Sequence, residues 1–463
     1  MLSQLHIRAI MIANTPVCDA AVTTDLGEAF ARHVSTYRGK PEFALGYPET
    51  KWLNVMRIRA DNAQDAALGQ MTDEMLNLLS DPVSAGDRFK PRFLELYGQA
   101  RRHAYPLACA LLDEIHAIND ITRDYTLGCF DFGMIRRMED EALSSKSMRT
   151  FVDDMLKKLG AMTNRPRHDV FRQVFDVYSE ALVYRLLLER GAGHLSIEKI
   201  PESKEPGPDF KCELRTERNG EPKSLEFYIE VKALDIVAAP QRLPEMLDEG
   251  MDVQIELERQ LREGKNIAIA SGEIAPYRPF GTNSDYDPWS VRKVIETLAE
   301  KAAQNFKPKQ FQRGPTFALA NLLRLPLPGQ GASSLAPFFY DKLAGGACVS
   351  GVLWHMAFGE VGAPVHRWPS FEGAGTADGN LKQAGLLVDP AVHLDTPGLI
   401  ALHYDKGAYR FDGLYDARWT DSGSGWSNIE VETVLHALCG DYNDRGNERA
   451  AEYAYYVDRE GRP

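Results

Sequence analysis

The segment Leu225-Glu226-Phe227-Tyr228-Ile229-Glu230-Val231-Lys232-Ala233 decides how this chain is read. Leu225, Phe227, Ile229, Val231 and Ala233 alternate strictly, so one face of a β-strand here is core. Glu226, Tyr228, Glu230 and Lys232 share the other face. A carboxylate and an ammonium, Glu230 and Lys232, thus sit side by side and point the same way. Alone, such a pair reads as a surface ion pair of little energetic worth; its surroundings argue for chemistry.

Upstream, Gly207-Pro208-Asp209-Phe210 puts an acidic residue where a loop becomes a strand, and a proline, lacking an N–H, suits a strand's first position. Residues 195–200, 209–214 and 224–234 read as strands, with a hairpin-type Asn219-Gly220 in the polar turn 217–220. If the last two strands pair as a hairpin, Asp209 comes beside Glu230, and two carboxylates and a lysine converge at one end of a sheet. Before these strands, Val170, Val174, Val177, Ala181 and Leu188 mark one face of a helix over 169–190, ended by Gly191-Ala192-Gly193. Glu180 lies close to that stripe, either as a polar residue at its border or as a fourth member of the acidic group. After the strands come a helix-like stretch at 244–263 and a short apolar run at 267–270. A helix from Asp287-Pro288 to about Phe306 and a strand over 316–323 follow. Helix, three strands, helix, strand describes an α/β unit with one mixed sheet.

The trio suits one kind of chemistry. Mg²⁺ prefers oxygen ligands, keeps several waters, and is typically held by one or two carboxylates together with substrate phosphate. It polarises a phosphate and lowers the pKa of a bound water, while a neighbouring lysine can orient that water and stabilise the hydroxide. Pro208-Asp209, then Glu230-Val231-Lys232, with Glu180 on a preceding helix, resembles the PD-(D/E)xK nuclease superfamily over about residues 168–325. The resemblance implies a restriction-endonuclease-like core in which Asp209, Glu230 and the Val231 carbonyl ligate Mg²⁺ or Mn²⁺, Lys232 positions the nucleophile, and Glu180 assists. It implies a phosphodiester-cleaving enzyme, DNA being the expected substrate ahead of RNA, with a restriction or phage-defence setting as the family's suggestion. An RNase, a structure-specific repair nuclease and a catalytically idle module binding nucleic acid or protein are the alternatives. The Q-x-x-x-Y of the RecB-like branch is absent: Gln254 and Gln260 have no tyrosine at that spacing.

The rest of the chain frames this core. Residues 1–165 read as a mainly helical domain, with helices expected at 24–38, 70–79, 91–119 and 147–159, and residues 326–463 as a C-terminal α/β extension. In the extension, 349–358 and 399–403 read as strands and 429–438 as a helix. Lys301, Lys307, Lys309 and Arg313, interleaved with Phe306 and Phe311 and free of acidic residues, read as a solvated helix end or as a phosphate-tracking segment, in which Lys307, Lys309 and Arg313 would contact nucleic acid. The chain has 463 residues, 44% of them hydrophobic and 26% charged, and carries a net charge of −13. That acidity disfavours a non-specific DNA coater and leaves room for an enzyme with a local basic groove, an activating protein or a second copy of the chain. Six widely spaced cysteines form no C-x-x-C pair, and no long apolar span or cleavable leader is evident, so a reducing cytoplasm and no membrane are expected.

Overall fold

The computed structural model describes residues 56–61, 64–80, 89–116, 122–123, 125–161, 167–201, 206–218, 221–234, 241–263, 290–324, 338–341, 347–350, 352–366, 377–389, 392, 394–405, 408–417, 419 and 425–445. The helix expected at 24–38 and the apolar run at 267–270 lie outside the described residues. The fold is α/β, and the chain divides into two compact units, residues 1–174 with 240–276 and residues 175–239 with 277–463.

The first unit is helical. It holds α1 (Ala66–Ser80), α2 (Phe89–Ala104), α3 (Pro106–His116), α4 (Phe132–Glu141) and α5 (Lys146–Gly160), together with the start of α6 (Arg167–Arg190) and all of α7 (Leu243–Arg262). The single helix expected over 91–119 is two helices, α2 and α3. Pro106 lacks the N–H that would continue the ladder but suits the first turn of a new helix. The amides freed at the start of α3 are met from α4: Leu107 N–H and Ala108 N–H donate to the Glu139 carboxylate at 2.7 and 3.3 Å. Glu139 is buried, and desolvation, only partly offset by those two amides, pushes its carboxyl up to about 7 from an ordinary 4.5. A folded value above the unfolded one means that this group's contribution to stability is complete below pH 4.5 and is lost as pH rises through about 7. Glu139→Gln keeps an acceptor and removes the charge. Urea melts at pH 5 and pH 8 should show the wild type losing on the order of 3 kcal/mol more than the variant over that interval. Identical pH dependence in the two proteins would show that the buried charge is not what governs this site.

The second unit is built on a seven-stranded mixed sheet. Its strands are β1 (Leu195–Lys199), β2 (Phe210–Arg218), β3 (Glu221–Ala233), β4 (Thr316–Asn321), β5 (Gly398–Asp405), β6 (Ala408–Tyr415) and β7 (Asp441–Asp444), and they follow one another across the sheet in chain order. β1, β2 and β3 form an antiparallel meander, with Phe210 opposite Ile229 and pairing that continues outward to Arg218 opposite Glu221. β4 joins β3 in parallel after α8 (Val291–Asn305), and β5 joins β4 in parallel. The C-terminal strands therefore extend the same sheet. β6, which the sequence reading did not single out, pairs antiparallel with β5, and β7 pairs parallel with β6.

Strand alternation sorts the two faces. Phe210, Ile229 and Phe317 lie on the face that packs on α6, where Tyr184 meets the Phe210 ring at 6.2 Å and Ser179 receives Asn321 at 2.7 Å. Phe227, Phe317 and Trp426 form an edge-on aromatic cluster on the same face, at 5.7 to 6.5 Å, just before α10 (Asn428–Leu438). α6 is buried almost all round between Phe175 and Leu187, which is broader than the one-sided stripe expected of it. α8 starts at Val291, with Ser290 as its cap accepting from Lys293 N–H; Asp287-Pro288, where its start was expected, lies outside the described residues. The strand expected over 349–358 is instead a short strand, Ala347–Ser350, followed by the helix α9 (Val352–Phe358). Val352, Leu353, Met356 and Ala357 are all buried, so the run has no periodicity to separate a core strand from a core helix. The Trp354–Phe358 ring contact at 5.9 Å is the helical i, i+4 spacing.

Candidate active site

Asp209 stands where the hairpin opens. Its N–H donates to the Ile229 carbonyl at 3.1 Å and its carbonyl accepts from Ile200 N–H at 2.8 Å, so the residue is tied to β1 and β3 together. Its carboxylate takes a further bond, with Val231 N–H donating to Oδ2 at 2.7 Å. Along β3, Tyr228 N–H and Leu234 N–H donate to Pro315 and Asn321 on the β4 side. Strand alternation turns the Val231 N–H and carbonyl the opposite way, toward Asp209.

Glu230, one step beyond the Phe210–Ile229 pair, has no exposure to solvent. One of its oxygens, Oε1, receives both the Lys232 ammonium and the Gln310 side-chain amide. The other, Oε2, is buried and meets no hydrogen-bond donor among the described residues. Glu180 projects from α6 into the same cluster, its Oε2 lying 3.0 Å from the ammonium of Lys199 at the end of β1. Three carboxylates and two lysines thus share one end of the sheet.

Their electrostatics are mutual. Burial pushes the Asp209 carboxyl up to about 7, the negative charge of Glu230 adds to the rise, and Lys232 and the Val231 amide oppose it. Glu180 is also driven to about 7, first by burial and then by Asp209, against Lys199 and Lys232. Glu230 is raised by burial, with Lys232 opposing. Burial works to lower Lys232, but Asp209, Glu230 and Glu180 together raise it, so its ammonium is firmly held. Carboxylates that repel one another around a buried, donorless oxygen are the situation a divalent cation relieves. Among the described residues, no group of three or more His, Cys, Asp or Glu side chains converges closely enough to hold a metal ion. A cation here would rest on two carboxylates, the Val231 carbonyl and water, which is how Mg²⁺ is commonly held.

The basic segment after α8 reaches this end of the sheet. Lys307 and Lys309 are exposed, and Gln310 of the same turn is the donor to Glu230. The Arg313 guanidinium lies close to Gly207: a Cβ there would come within 3.3 Å of it, so a larger residue would push the arginine aside by a few tenths of an ångström. Lys199 and Gln310 are the two site residues that sequence reasoning missed. Lys199 had a signal, because it follows Leu195 and Ile197 on alternate positions where an apolar residue belongs. Gln310, between the buried Phe306 and Phe311, had none. Cys109, Cys129, Cys212 and Cys439 are free; burial raises the thiol pKa of Cys109 and Cys212, the direction opposite to that of a nucleophile.

Comparison with protein-family models, with curated proteins and with solved structures found no match. Among the described residues, no helix is long and apolar enough to cross a membrane.

Proposed function

We propose that this chain is a Mg²⁺- or Mn²⁺-dependent nuclease with a restriction-endonuclease-like core of the PD-(D/E)xK type, acting on DNA. The observation that carries this reading is the buried Oε2 of Glu230, which meets no donor and lies in a cluster where the charge of Glu230 raises Asp209, that of Glu180 raises Glu230, and Lys232 stays charged. The helix, three-strand meander, helix and parallel strand formed by α6, β1–β3, α8 and β4 support it at the level of the fold, as an analogy.

In this reading Asp209, Glu230 and the Val231 carbonyl hold the cation, which when bound polarises the scissile phosphate and acidifies a water. Lys232, kept protonated by its carboxylate neighbours, orients the attacking water and offsets the charge that builds on the phosphate. Gln310 holds the Oε1 side of Glu230 so that Oε2 is presented. Arg313, with the exposed Lys307 and Lys309, supplies cations for the phosphate backbone on either side of the bond to be cut.

The direct test is to incubate the purified chain with supercoiled plasmid, linear duplex and RNA in Mg²⁺, Mn²⁺ or EDTA. Cleavage of DNA that appears with metal and stops with EDTA is the expected result. Cutting that persists in EDTA would overturn the metal site. Binding to DNA with no cutting under any of these conditions would make the chain an idle module instead.

A further inference from the structure

The pair Glu180 and Lys199 is the part of the site that the proposed chemistry leaves unused. Lys199 is fixed by the ladder, because the next residue, Ile200, donates its N–H to the Asp209 carbonyl at 2.8 Å. Its ammonium and the Glu180 carboxylate, 3.0 Å apart, retain only 17% and 21% side-chain exposure, so this is not a solvated surface pair. With Glu180, Asp209 and Glu230 ionised, three negative charges face the two positive charges of Lys199 and Lys232. One divalent ion more than neutralises what is left. A second ion, which two-metal enzymes place roughly 4 Å from the first, would need oxygen donors that the first does not use. Glu180 is the carboxylate left over, and Lys199 already holds one of its oxygens.

We propose that Lys199 is an internal cation that restricts this site to a single divalent metal ion, its ammonium standing where the second ion of a two-metal site would bind. The inference rests on the metal-site reading above and adds its stoichiometry. The independent mark of an ion in the cluster is the fully buried Glu230 with its unmatched Oε2.

Titration of the full chain with Mn²⁺, followed by calorimetry and by the electron-spin resonance of free Mn²⁺, tests this without any turnover. The wild type and Lys199→Arg should bind one equivalent per chain. Lys199→Met and Lys199→Gln should bind a second, weaker equivalent, and the double variant Lys199→Met/Glu180→Gln should return to one. Circular dichroism of each variant checks that it is folded. Two equivalents in the wild type would overturn the inference while leaving the metal site standing, and the wild-type measurement depends on no variant. One equivalent in both folded neutral variants would overturn it equally. No Mn²⁺ bound by the wild type would bring down this inference and the metal-site reading together.

Discussion

Asp209→Ala is expected to lower metal-dependent DNA cleavage by about 10³-fold or more, since a metal ligand supplies several kcal/mol of transition-state stabilisation. The same substitution should leave the melting temperature unchanged or raise it. The Asp209 carboxylate is buried against Glu230, and both the desolvation and the repulsion act against its ionised form. Its removal frees one backbone amide, that of Val231, and a lost bond of this kind costs about 1–3 kcal/mol. Relief of the charge crowding opposes that loss. An aspartate needed only for structure would show the reverse pattern, a lower melting temperature and proportionate loss of function. Plasmid nicking and thermal melts on one preparation separate the two. Cleavage within tenfold of the wild type would remove Asp209 from the catalytic set. Asp209→Asn, which preserves the acceptor for Val231 N–H, should lose activity nearly as fully, because an amide oxygen is a poor substitute for a charged ligand of a hard cation.

The legible part of this site is the part fixed by period-two geometry. Strict alternation in 225–233 placed Glu230 and Lys232 on one face, and both stand there in β3. Asp209 required one more step, the hairpin register, and the observed pairing of Phe210 with Ile229 brings it beside Glu230. Glu180, for which the stripe of α6 allows two readings, stands beside Lys199 in the cluster, its carboxyl raised by burial and by Asp209. The illegible parts depend on contacts distant in sequence. Gln310 reaches Glu230 across 80 residues, and nothing near it marks a buried amide. Lys199 meets Glu180 only because β1 ends beside the helix that carries it. α9 cannot be told from a strand in sequence, because an apolar run buried all round carries no period. The break at Pro106 was readable from its chemistry alone, and its consequence, the Glu139 carboxylate capping α3, was not.

Lys232→Met should destabilise the chain by about 3–5 kcal/mol at pH 8, the cost of leaving a buried carboxylate without its counter-ion. Glu230 has 1% side-chain exposure, so loss of the ammonium leaves its carboxylate poorly solvated. The sign of the pH dependence follows from burial, which already raises Glu230 above the ordinary carboxylate value. Without Lys232 that rise grows, so the variant folds with Glu230 protonated. The protonated form's contribution is complete at acid pH and is lost as pH climbs through the folded value, which makes the deficit smallest near pH 4 and largest in alkali. The double variant Glu230→Gln/Lys232→Met removes both charges, keeps an acceptor for Gln310, and should recover most of the loss. Urea melts of the wild type, Glu230→Gln, Lys232→Met and the double variant at pH 5 and pH 8 give the cycle. If Lys232→Met at pH 8 melts within about 1 kcal/mol of the wild type, the pair contributes no more than a surface pair would, and the charge-burial argument fails. If the double variant is as stable as the wild type while inactive, the two charges do nothing for the fold that neutral side chains could not do. A chain that keeps a carboxylate buried at an end of its sheet, at no gain in stability, keeps it for what it binds.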